Sequence, residues 1–230
     1  MLKISKITTS FVILVIAAES LWAGCVYPPA WRTKDCKGNP SGKPPTTYQR
    51  WDFTNSANPA LPSDVHNSYQ TPYKQVQANI VGDPLETWGW YSSYNGRSGV
   101  WHGNNLEMTL QIPNRYIDPR TPCYSTTYKE IYLEMIYQGI PREPTIAALP
   151  ENTVERICQT IITEQDGWKR LIQCWRVRPN PYEEFICVGL GGTGGSIDRI
   201  TVDTKCIPEP ATILLLTLGG VMTALKKRRA

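Results

Sequence analysis

Strict alternation of apolar and polar side chains recurs in short runs through the middle of the chain, most clearly from Tyr128 to Gln138. Ile131, Leu133, Met135 and Tyr137 fall on one face of an extended chain, and Tyr132, Glu134, Ile136 and Gln138 on the other. That period of two is what a strand requires. Comparable runs predict strands at Tyr48–Thr54, Lys74–Val81, Asn105–Ile112, Thr153–Thr163, Trp168–Arg178, Glu184–Leu190 and Ile197–Thr204. Short strands at this spacing, joined by Pro- and Gly-rich turns, predict an all-β domain: an antiparallel β-sandwich of jelly-roll kind, with two inner faces making one core. Asn55–Pro72 reads as a long turn-rich connection without structure of its own.

One hairpin is specified to the residue. Asp166-Gly167 separates two strand-like runs, and a three-residue loop of Gln165, Asp166 and Gly167, with Gly167 left-handed, pairs Glu164 with Trp168. Cys158 then lies opposite Cys174, which predicts a cross-strand disulfide. A two-residue turn would shift the register by one and put the two cysteines on opposite faces.

The pattern changes at both ends. Residues 1–23 read as a signal peptide: Lys3 and Lys6 precede an apolar core from Phe11 to Ala18, and Leu21-Trp22-Ala23 offers a cleavage site before Gly24. Lipidation of Cys25 is the alternative for this end. Residues 24–47 form an irregular lead-in rich in Pro, Gly and Lys, in which Cys25 and Cys36 are close enough in sequence to bridge. A β-domain over 48–207 follows, and residues 208–230 form a separate terminal segment.

That segment has three parts in fixed order: Pro208-Glu209-Pro210, an apolar run of fifteen residues from Ala211 to Leu225, and the cations Lys226, Lys227, Arg228 and Arg229. As a helix the run measures roughly 22 Å, short of the roughly 30 Å hydrocarbon core, so it would span only by thinning the bilayer or using flanking residues. The cations place the tip on the cytoplasmic side. This order resembles the PEP-CTERM sorting signal of exported bacterial proteins. The resemblance covers only about the last tenth of the chain, and it implies a short transmembrane helix handled by an exosortase-like membrane protease, after export through the Sec translocon and cleavage by signal peptidase. Delivery to the cell surface or extracellular matrix is what it implies for destination.

Composition matters chiefly through where the charge lies. Of the formal net charge of +4, the terminal cluster supplies four and the signal peptide one, leaving the body of about 185 residues near minus one. No surplus of basic residues is left to form a nucleic-acid-binding face. Seven cysteines without close CxxC pairs in an exported chain point to disulfides rather than metal thiolates.

Candidate chemistry is sparse. Trp88, Trp90, Tyr91, Tyr94 and Trp101 cluster around SYNGRSG, with Asn95, Arg97, Asn104 and Asn105 nearby. They form either a carbohydrate-binding face, flat rings beside amide and guanidinium groups, or part of the core. GLGGTGGS, Gly189 to Ser196, lacks the lysine and following helix of a phosphate loop and reads as a flexible connection between the last two strands. Asp198 and Asp203, an odd number of residues apart, should face oppositely and share no calcium ion. His66 and His102 lie in loop-like contexts, Glu183 and Glu184 should point to opposite faces, and no GxSxG or HExxH occurs. The chain is therefore expected to be a non-enzymatic surface or matrix protein with no cofactor and no metal. The alternative is a module that holds exopolysaccharide through the aromatic cluster.

Overall fold

The computed structural model describes residues 46–67, 75–114, 127–149 and 153–208. The signal peptide, most of the lead-in, Cys25, Cys36 and residues 209–230 lie outside them. The described chain is all-β and antiparallel: β1 Thr46–Trp51, β2 Asp64–His66, β3 Gln77–Val81, β4 Gly89–Tyr94, β5 Arg97–Gly103, β6 Glu107–Pro113, β7 Thr127–Pro141, β8 Thr145–Leu149, β9 Thr153–Thr163, β10 Lys169–Arg178 and β11 Glu183–Pro208. The Asn55–Pro72 connection is more structured than its composition predicts. It contains β2, and Ala60 bridges to Ala78.

β11 organises the sheet. Its first part, Glu183–Gly189, pairs with β6 on one side and β8 on the other, and β3 extends beyond β6. Its second part pairs with β7 along one edge and with β5 and β1 along the other. β10 and β9 continue beyond β7. The two predicted strands Glu184–Leu190 and Ile197–Thr204 are thus one strand serving two portions of the sheet. The glycine run between them is a corner rather than a loop: the register slips between Gly191 and Ser196, opposite Gly139. Gly192 and Gly194 are left-handed, and a Cβ on Gly195 would come within 2.8 Å of Leu190 Cβ. Only glycine lets the backbone fold this closely.

The alternation of β7 sets its inner face as read from sequence. Ile131, Leu133, Met135 and Tyr137 join Trp51, Ile80, Met108, Leu110, Ile186, Ile200 and Val202 in a single core drawn from both portions. The outer face of β7 is also buried, which alternation alone did not foretell. Arg176 lies over the Tyr128 ring at 4.7 Å and 3.6 Å from Glu130, while Arg170 and Arg199 flank Glu134 at 4.0 and 3.8 Å. Arginine stems cover what would otherwise be wet.

The β9–β10 hairpin has the predicted register. Glu164 N–H donates to Trp168 O at 2.8 Å, Gly167 is left-handed, and Cys158 sits opposite Cys174 and is disulfide-bonded to it. Asp166 is left-handed as well, so two consecutive residues take the turn conformation.

Candidate functional site

The five aromatic residues singled out from sequence lie on and beside one hairpin. Asn95 and Gly96, at φ 45° and 77°, make the tight turn between β4 and β5, the geometry that an Asn-Gly pair favours. Trp90 and Trp101 stand directly opposite each other across the two strands. Trp101 is buried, and Trp88 and Trp90 pack against the same core from its margin. Trp88 lies 5.9 Å from Trp101, ring to ring, with the planes 34° apart.

Two glycines explain where Trp88 sits. A Cβ on Gly82 would meet Trp88 Cγ at 2.3 Å, and one on Gly103 would meet Trp88 Cβ at 2.3 Å. The indole is laid directly against bare backbone. Trp90 Nε1 donates to Phe53 O at 2.7 Å, and a Cβ on left-handed Gly99 would lie 2.4 Å from that same oxygen. The three tryptophans therefore stitch the hairpin to Asp52–Phe53 and to the core.

The other side of the hairpin carries Tyr91, Tyr94 and His102. Tyr94 stacks on His102 at 4.3 Å, and Tyr91 meets His102 edge-on at 5.6 Å. Tyr91 is exposed and Tyr94 half-buried, packed against a small cluster of Val100, Ile136 and Trp168. The tip is docked on the β9–β10 turn and on β7: Trp168 Nε1 donates to Asn95 O, and Asn95 Nδ2 to Gln138 Oε1 of β7. Arg97 lies over the Trp168 ring at 5.5 Å and reaches Glu164 at 2.8 Å and Asp198 at 3.3 Å.

Sequence spacing missed this ionic group because its members lie far apart in the chain. Glu164 also takes Arg170 as a partner. Burial works to raise the Glu164 carboxyl, yet Arg170 and Arg97 together hold it below the usual carboxylate range. Asp198 is pushed up by burial, with Arg97 and Arg199 opposing. A bulge between Ile197 and Arg199 breaks the alternation from which Asp198 and Asp203 were placed on opposite faces, and Asp198 is instead turned to Arg97.

Both histidines lie on strands, His66 in β2 and His102 in β5, rather than in loops. His102 Nδ1 and Ser196 Oγ are 2.8 Å apart, the spacing of a nucleophile and its base. Ser196 is completely enclosed, so its hydroxyl has no approach for a substrate. Burial lowers the His102 pKa, so at neutral pH the ring is uncharged and suited to stacking. Glu183 and Glu184 do turn to different partners: Glu183 accepts from Gln111 Nε2 at 2.9 Å, and Glu184 pairs with Lys129 at 2.7 Å.

No protein-family model matches the chain, and no curated protein matches it in sequence.

Proposed function

We propose that this chain is an exported β-sandwich protein of jelly-roll kind that serves as a structural or interaction module at the cell surface or in the extracellular matrix. Residues 1–23 direct export through the Sec translocon and signal peptidase. Pro208, Glu209, Pro210, the apolar run and Lys226 to Arg229 form a PEP-CTERM-like signal for an exosortase-like protease, its short transmembrane helix holding the chain until transfer. The observation that carries this reading is the Cys158–Cys174 bond, set between an edge strand and its only described neighbour. Such a bond persists in an oxidising compartment. Among the described residues no helix is long and apolar enough to cross a membrane, and the anchor is assigned to residues 211–225, outside them.

The test is fractionation of cells producing the full chain or a chain ending at Ile207. Surface retention should require the terminal segment, with the shortened protein released in soluble form. Equal retention of both would overturn the reading.

The exopolysaccharide alternative is favoured by one observation, the exposed Tyr91 ring beside Tyr94 and His102. Because Trp88, Trp90 and Trp101 pack against the core, Tyr91→Ala is the discriminating variant. Loss of polysaccharide pull-down in that variant, with folding intact, would favour a sugar binder, and unchanged pull-down would remove it.

A further inference from the structure

At one end of the core, away from the aromatic hairpin, three polar side chains are enclosed together. Lys129 projects from β7, Glu184 from the first part of β11, and Asn114 follows β6 directly. Lys129 and Glu184 are wholly buried and Asn114 nearly so. Their neighbours in register are apolar: Val177 opposite Lys129 and Ile112 opposite Glu184, both without exposed surface.

The three groups form a closed triangle. Lys129 Nζ lies 2.7 Å from Glu184 Oε1 and also touches Asn114 Oδ1, while Asn114 Nδ2 donates to Glu184 Oε2. Nζ thus donates to the amide oxygen of Asn114, so that amide is its immediate neighbour. The backbone of Asn114 is fixed in turn, its N–H donating to Tyr182 O at 2.9 Å.

We propose that Lys129 and Asn114 join covalently, through an intramolecular isopeptide bond whose formation Glu184 promotes. The reaction is a transamidation. Glu184 takes a proton from the Lys129 ammonium, and the freed lone pair on Nζ adds to Asn114 Cγ as the carbonyl π pair moves to Oδ1. Glu184 then passes its proton to Nδ2, the carbonyl reforms, and ammonia leaves with the electrons of the broken Cγ–Nδ2 bond. The surplus proton on Nζ returns to Glu184, which ends as a neutral acid. One C–N bond forms and one breaks, with no oxidant, metal or nucleotide required.

Physical chemistry favours each part of this sequence. A nucleophile held beside its amide, here in contact with the amide oxygen, turns a bimolecular reaction into an intramolecular one, and well-oriented cases reach effective molarities of about 10⁵ M or more. A buried ion pair is costly to keep desolvated, and a neutral amide removes that cost. Burial raises the Glu184 pKa, with Lys129 and Asn114 opposing, so this carboxyl is suited to carry a proton. Lys129 and Asn114 are 15 residues apart. The bond ties the end of β6 to the start of β7, linking the two portions of the sheet independently of where the protein is delivered.

Peptide mapping of the folded, purified full-length protein after reduction and trypsin digestion tests this directly. The expected result is the peptide Ser98–Arg115 linked to Thr121–Arg142, uncut after Lys129 and lighter than the two together by one ammonia. Glu184→Gln keeps the shape but cannot relay the proton, and Asn114→Ala removes the acceptor. Both should release the two regions as separate peptides, with cleavage after Lys129 restored. The wild-type map decides even where a variant fails to fold. Separate peptides of unmodified mass from the wild-type protein, or ammonia loss confined to a single unlinked peptide, would overturn the proposal and leave a permanent ion pair.

Discussion

At the scale of single residues, what each side chain does was set by partners distant in sequence. Trp88 is an example: its ring position depends on two glycines, Gly82 and Gly103, that no local pattern connects with it. Glu164 is another, because its two guanidinium partners come from β5 and β10. Its folded-state pKa lies below the ordinary value, so its contribution to stability is present above the unfolded carboxylate pKa and is lost as pH falls through the folded one. Glu164→Gln should therefore cost about 1 kcal/mol at pH 7 and converge with wild type in strong acid. Denaturant midpoints measured across that range check this, and a pH-independent difference would contradict the assignment.

At the scale of elements, legibility depended on whether local chemistry alone fixed the geometry. The β9–β10 hairpin was readable because turn residues and paired cysteines demand one register, and β7 because its alternation is long. β4 and β5 are not legible as strands in the sequence, since a dense run of aromatics, glycines and serines hides the period of two. The Gly189–Ser196 corner looks like a loop in sequence because glycine marks both loops and tight corners, and only the partner strand distinguishes them. The outer face of β7 was legible in direction but not in burial, because the arginines that cover it come from β10 and β11. The hairpin bond encloses a short loop, at a sequence separation of 16. Replacing Cys158 and Cys174 together by Ala should lower stability by about 2–4 kcal/mol, read as a shift in thermal midpoint. Unchanged midpoints under oxidising and reducing conditions would show that the bond contributes nothing.

At the scale of the whole molecule, the proposed function divides the chain into a folded middle and two ends concerned with delivery. The middle of the chain encodes a sheet whose longest strand turns a glycine corner to serve both portions around one core. The ends carry apolar runs and cations, which account for the positive formal charge and which the proposed function assigns to delivery. Candidate binding chemistry was legible as a cluster of aromatics but not as a surface, because sequence proximity does not say which rings turn inward. The most direct measurement of the central claim is the intact mass and peptide map of the protein recovered from the cell envelope. An exported module delivered by its two ends should begin at Gly24 and carry the Cys158–Cys174 bond. A chain recovered from the cytosol, still beginning at Met1 and with all seven thiols reduced, would contradict it.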